Sequence, residues 1–245
     1  MLPAWHKLNE LAESITQKRI IDLFQKDSLR AEKYSVECGD LFLDYSKNLV
    51  DDKVMNTLVE LADESSLGAH AEAMFSGKKV NTTENKAVLH VALRGNQDDN
   101  YRHNDKPVTS HIDLALSQMA EISQKIRAGL WLGHTGKKIT DIIHLGVGGS
   151  DLGPRLACES LRSYAHNSLS LHFVSNADGS EIISTIAKLN PETTLVILVS
   201  KSFSTQETML NAQTTFDWLE QRLNLPHPQR SSHVIAITAN KEKAR

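Results

Sequence analysis

The sequence predicts an α/β protein, a parallel sheet flanked by helices and preceded by a mostly helical amino-terminal segment. Three observations carry this. An apolar run, Ile142 to Val147, meets Gly146, Gly148 and Gly149 and then a segment of helical pattern. A second strand, turn and helix, Thr194 to Leu210, repeats that order with hydroxyl residues in place of glycines. From Val108 onward, short apolar runs alternate with helical patterns. Apolar strands separated by helices imply a parallel sheet covered on both faces.

Taken in order, Trp5, Leu8, Leu11 and Ile15 recur at helical spacing, and Ile20, Leu23 and Phe24 continue the pattern. Ser35 to Asp44 alternates weakly, as a short extended piece does. Val54, Leu58, Leu61 and Ala62 fit one helix face. Val88 to Leu93 predicts a short strand before Arg94. The polar stretch Gly95 to Pro107 has no periodicity and predicts a surface loop. Ile112, Leu116, Met119, Ile122 and Ile126 define a strongly amphipathic helix that stops near Gly129. Strands are then expected at Ile142–Val147, Leu169–Val174, Leu195–Val199 and His233–Thr238. Helices are expected near Pro154–Tyr164, Gly179–Leu189 and Thr205–Leu223. The change of pattern divides the chain into a helical segment, 1–107, and a sheet domain, 108–245.

Composition narrows the function. The chain has 245 residues, 40% of them apolar, an ordinary globular share. A net charge of −3 supplies no global basic field and argues against a nucleic-acid partner. No apolar run approaches the ~18 residues of a membrane span, so no membrane partner is expected. MLPAWHKLNELAE lacks the long apolar core of a secretory signal. Cys38 and Cys158 stand far apart, form no metal-type pair, and fit a reducing, cytoplasmic compartment. No histidine pair with carboxylate support stands out, so no metal is expected.

The chemistry is concentrated at two turns. In open parallel sheets, ligands bind beyond the carboxyl ends of strands, and both turns belong there. The first offers Gly148, Gly149 and Ser150 at a helix start, where backbone N–H groups and the helix dipole favour an anion. The second offers Ser200, Lys201, Ser202, Ser204 and Thr205. Small residues leave the N–H groups open, and glycine permits the closest approach. A phosphate dianion held between the two turns satisfies both.

Blander readings stand beside this one. A Gly-Gly turn after a strand often only redirects the chain, and Ser/Thr residues before a helix are commonly N-caps. Lys201 fits a solvated charge as well as an anion contact. His90 and His144 lie inside apolar runs and read as satisfied core histidines, whereas His103, His111 and His134 read as loop or surface residues. Glu159, Glu181 and Glu207 fall in expected helices. A dinucleotide site is disfavoured because Asp151 occupies the third glycine position of GxGxxG, and no GxxxxGK[ST] phosphate loop is present.

GVGGSDLGP and SKSFSTQET resemble the two phosphate-binding turns in the first sugar-isomerase (SIS) domain of the glucose-6-phosphate isomerase family. The likeness extends through DYSKNLV (Asp44–Val50), AVLHVALR (Ala87–Arg94), GHTGKKITDIIHLGVGGSDLGP, SNADGSEI (Ser175–Ile182) and LNPETTLVILVSKSFSTQET, nearly the whole chain. Many members have SKTFTTQET; Ser202 and Ser204 here keep the hydroxyls. The resemblance implies a SIS-type, flavodoxin-like three-layer sandwich over 108–245. It implies aldose–ketose interconversion of glucose 6-phosphate and fructose 6-phosphate in glycolysis and gluconeogenesis, without a cofactor. It implies that Gly149, Ser150, Ser200, Lys201, Ser202 and Thr205 hold the sugar phosphate, and that a full-length member is a homodimer. The family's proton-transfer glutamate, ring-opening histidine and lysine, and the arginine of a Gly-Gly-Arg motif are expected beyond Arg245. The chain is accordingly expected to be an amino-terminal fragment that carries no catalytic residue and is inactive alone. A sugar-phosphate-sensing SIS module is the alternative; no basic recognition helix marks residues 1–50 as a DNA-binding effector.

Overall fold

The computed structural model describes residues 2–225 and 232–244. The chain divides into two compact units, Met1–Asp113 and Leu114–Arg245.

In the first unit, α1 (Pro3–Ile15), α2 (Ile20–Lys26) and α3 (Arg30–Lys33) precede a hairpin of β1 (Ser35–Cys38) and β2 (Leu41–Asp44). Pro3 opens α1 at a position where a missing N–H costs nothing. α4 (Asp52–Glu64) is capped by the Asp51 carboxylate, which accepts from Val54 N at 3.1 Å. Glu64 accepts from Ala4 N at 2.9 Å and Glu60 from Lys7 Nζ at 2.7 Å, so α1 and α4 run antiparallel. Arg30, 2% exposed, donates to the carbonyls of Ser46 and Asn48 and stacks on Tyr34 at 4.6 Å. α5 (Leu67–Phe75) follows.

Val88–Leu93 is not a strand. His90–Leu93 forms a 3-10 turn in which Ala92 N donates to Leu89 O and Arg94 N to Val91 O, both at 3.0 Å. Local i→i+3 bonds satisfy this backbone without a neighbouring edge. His90 is consequently exposed rather than a core histidine. The polar stretch after it is a loop that carries a small ladder, β3 (Arg102–His103) with β4 (Lys106–Pro107). Asn104 and Asp105 at its tip both have positive φ, 48° and 59°, as a type I′ hairpin turn requires.

α6 (Thr109–Arg127) contains the division between the units and ends before Gly129, whose φ is +67°. Its apolar face packs less completely than its periodicity predicts. Ile126 is buried, but Leu116 and Met119 remain about half exposed.

The second unit is built on a four-stranded parallel sheet of β5 (Asp141–Leu145), β6 (Ser170–Val174), β7 (Thr194–Val199) and β8 (Val234–Ile237). The strand order is β6-β5-β7-β8. Helices α7 (Gly149–Ser160), α8 (Gly179–Ile186) and α9 (Gln206–Leu223) connect the strands. Alternation along the strands sorts the two faces. Ile143, Leu145, Val196 and Leu198 point to a core shared with Ile182 of α8 and with Ala212 and Leu219 of α9. Ile142 and Leu195 point the other way, to Ile126 of α6 and to Ile139. α7 lies on this second face, where Arg155 stacks over Phe173 of β6 at 5.0 Å. The result is helix, sheet, helix, the fold class expected.

The strand order explains the layering. The chain steps from β5 outward to β6, then crosses back over β5 to β7 and on to β8. With right-handed crossovers, reversing direction moves the connecting helix to the opposite face. The reversal also creates a topological switch point between β5 and β7, the position where open α/β sheets bind ligands.

Candidate functional site

Both turns singled out in the sequence emerge at this switch point. β5 and β7 are hydrogen-bonded neighbours with Leu145 beside Leu198. Adjacent strands lie about 4.8 Å apart, so the chain leaves the sheet at two closely spaced points. There it enters two helix N-termini, those of α7 and α9. Neither N-cap, Gly148 or Thr205, spends its side chain on its own helix. Each dipole therefore points at the switch point without a capping oxygen in front of it.

In the first turn, Gly148 takes φ +60° and ψ −122°, a conformation open to glycine and costly for other residues. α7 opens at Gly149, earlier than the Pro154 start expected. Ser150 N, Asp151 N and Leu152 N donate to Val147 O and Gly148 O at 3.2, 3.0 and 2.8 Å and close the first turn. Pro154 therefore sits inside the helix. Gly149 is exposed and Ser150 half-buried. His144 is 8% exposed, and its Nε2–H donates to Ser150 O at 2.7 Å.

In the second turn, Ser200 is 1% exposed, and its N donates to Ile237 O at 3.1 Å. Ser200 Oγ and Thr205 Oγ1 share a hydrogen bond of 3.1 Å across the turn. Ser204 Oγ donates to Ser202 Oγ at 2.8 Å. The hydroxyls thus pair with one another instead of capping α9. Phe203 is held at φ +53°, unusual for a bulky residue, while its ring packs on the sheet core. Lys201 O accepts from Thr238 Oγ1 and Ala239 N, both at 3.2 Å, which ties the turn to the segment after β8. Lys201 and Ser202 are exposed and Thr205 is half-buried.

The sequence did not expose three supporting features. Asp151, 3% exposed, forms a two-pronged pair with Arg155, at 3.1 Å to Nε and 3.0 Å to the terminal nitrogen. This hydrogen bond holds the Arg155 guanidinium above its usual range. Glu181, on α8, accepts from Ser175 N and Asn176 N at 3.1 and 2.9 Å, and Asn211 donates to Asn176 O at 2.7 Å. These bonds fix the loop after β6 beside the site. Thr208 Oγ1, in the first turn of α9, is buried without a hydrogen-bond partner among the described residues.

A cavity of about 700 Å³ lies at the opposite end of the sheet, bounded by Ile183, Leu189, Trp218 and Leu223. Polar side chains, Asn190, Glu192 and Arg222 among them, share its walls, and it faces neither turn. The donor chemistry is at the carboxyl end, and that end is the functional candidate.

Comparison with known proteins agrees with the architecture. The family model described as phosphoglucose isomerase matches residues 44–245. The chain belongs to the phosphoglucose isomerase family. It is similar to the glucose-6-phosphate isomerase of Methylococcus capsulatus, 43% identical over 242 residues, covering 99% of this chain and 44% of the relative. The glucose-6-phosphate isomerase 1 of Colwellia psychrerythraea is 42% identical over 243 residues, with the same shares. A crystal structure of a glucose-6-phosphate isomerase from Chlamydia trachomatis shares the fold, with a TM-score of 0.77 at 24% identity over 97% of this chain and 44% of that one. The chain thus spans about 44% of the length of the relatives it matches. The phosphoglucose isomerase match includes both turns and the whole parallel sheet. No helix among the described residues is long and apolar enough to cross a membrane.

Proposed function

We propose that this protein interconverts glucose 6-phosphate and fructose 6-phosphate, and that the present region anchors the sugar phosphate. Gly149, Ser150, Ser200, Lys201, Ser202 and Thr205 are the assigned phosphate ligands. The observation that carries the reading is the meeting of two uncapped helix N-termini and a cluster of hydroxyls at one switch point. A dianion there accepts charge-assisted hydrogen bonds and complements two dipoles. Anchoring the phosphate fixes the orientation of the sugar carbons that exchange a proton. The proton transfer itself needs a base at C1 and C2, and the reading assigns none to these 245 residues.

The same reading carries a cytoplasmic location, supported by two unpaired cysteines, and a homodimer for a full-length member. It has neither a nucleic-acid nor a membrane partner, in keeping with the net charge of −3. It places the edge of the sugar-isomerase domain at 107/108, supported by the start of α6 at Thr109.

Titration of the chain with glucose 6-phosphate, followed by competition with inorganic phosphate, tests the reading. Both ligands should occupy one site, and glucose should not bind. Binding of glucose and glucose 6-phosphate with equal affinity would refute a phosphate anchor. Turnover that copurifies with the chain and disappears in Glu207→Gln would move the base into this region.

A further inference from the structure

Proline in a helix leaves one carbonyl without its intrahelical donor, that of the residue four positions earlier. Pro154 lies within α7, so the orphaned carbonyl is that of Ser150. This carbonyl is not left to water. His144, on β5 and 8% exposed, donates Nε2–H to it at 2.7 Å. The imidazole ring is itself braced by Phe173, 5.0 Å away between centroids, and Phe173 carries Arg155 on its ring at 5.0 Å. Arg155 returns to α7 through its pair with Asp151. Gly146 completes the enclosure: a Cβ there would lie 2.7 Å from Ser150 O. The Ser150 carbonyl is thus held between a histidine donor and a bare Cα.

We propose that His144 is a positioning residue for the phosphate anchor, the donor that replaces the N–H missing at Pro154 and thereby fixes the first turn of α7. This rests on the phosphate reading of the two turns. His144 touches no ligand; it acts through Ser150, whose hydroxyl forms the first half of the anchor beside the N–H of Gly149. Proline at 154 stiffens the helix start while freeing a carbonyl, and His144 converts that free carbonyl into a point of attachment to the sheet. The anchor then inherits the rigidity of β5.

A double-mutant cycle separates this role from simple packing. In H144L the donor is lost, and affinity for glucose 6-phosphate and for inorganic phosphate should fall roughly threefold to tenfold, the effect of one net hydrogen bond. In P154A the helix regains its own donor to Ser150 O, and binding should stay within about twofold of the parent, since one donor replaces another. In the P154A background H144L should then cost almost nothing. A carboxamide donor, in H144Q or H144N, should restore binding in at least one of the two lengths. Should H144L fail to fold, the carboxamide variants and the P154A/H144L double variant still give the comparison.

Equal loss from H144L in both backgrounds would show a packing role and overturn the assignment, as would unaltered binding in H144L alone. Failure of both carboxamides to bind better than H144L would also overturn it. If the parent chain binds neither probe, the phosphate reading falls and the positioning role falls with it. If the parent binds and H144L binds equally, only the role of His144 falls.

Discussion

Asp151 and Arg155 meet one helical turn apart on α7, carboxylate to guanidinium, through two bonds of 3.0 and 3.1 Å. The Asp151 side chain is 4% exposed and that of Arg155 32%. The carboxylate has therefore left water almost completely, while its partner keeps a solvated edge. A pair of this kind stiffens the start of α7 and carries the cost of a buried charge if either partner is removed.

Replacing Asp151 by Asn keeps the shape and removes the charge. Fully buried pairs broken in this way lose about 3–5 kcal/mol. The exposed edge of Arg155 screens part of that, so the expected loss is about 1–3 kcal/mol. Urea unfolding of the variant against the parent measures it, and an unchanged midpoint would mean that the pair contributes nothing net.

Ser200→Ala removes the hydroxyl that bonds Thr205 across the second turn. Under the phosphate reading it also removes a donor to a dianion. Affinity for glucose 6-phosphate should weaken by roughly 1.5–3 kcal/mol, the scale of a hydrogen bond to a charged group. Calorimetric titration at fixed ionic strength is the check, and an unchanged dissociation constant would remove Ser200 from the anchor.

Gly146→Ala should act on the first turn by crowding it. The added methyl would meet Ser150 O at 2.7 Å, and that carbonyl has little room to move with His144 on its other side. Overpacking of this kind costs typically 1–3 kcal/mol. The loss should appear both in stability and in phosphate affinity. A fully stable variant with parental affinity would show that the turn is more compliant than its geometry.

His233 gives a pH dependence of known sign. It is 0% exposed, its Nδ1–H donates to Thr194 O at 2.8 Å, and its Nε2 accepts from His134 N at 2.8 Å. Both nitrogens are committed to the neutral ring, and burial pushes the pKa below the ordinary 6.5. The unfolded chain therefore binds the proton more readily than the native one. This contribution to stability is complete above about pH 6.5 and is lost as pH falls toward the lowered native value. Denaturation between pH 7.5 and 5 should show the decline, and H233Q should flatten it whatever its overall stability. An equal slope in H233Q would assign the pH dependence to other groups.

Much of this architecture is legible along the chain because the responsible forces are local. β5 and β7 are buried on both faces, so Ile142 to Leu145 and Leu195 to Val199 stand out as apolar runs. The two turns carry their own markers, glycine at 148 and hydroxyls from 200 to 205. What escapes is whatever depends on a neighbour distant in sequence. Val88–Leu93 has strand-like residues, yet its fate was decided by the lack of a paired edge, which no local pattern records. His144 reads as a core histidine, and it is buried. Its bond to Ser150 becomes visible only when the strand and the helix start are placed side by side. Pro154 suggested a helix beginning; in fact it marks the carbonyl that His144 serves.

The strand order has a further consequence during synthesis. β5 is made before both of its neighbours, β6 follows next, and the second neighbour, β7, is separated from β5 by the whole of α7, β6 and α8. At about 5–20 residues per second, the β7-facing edge of β5 waits on the order of seconds after leaving the ribosome. For that interval Ile142, Ile143 and Leu145 belong to an open margin that any other nascent strand could occupy. The order that creates the switch point in the finished protein makes its central strand an edge while the chain is still being made.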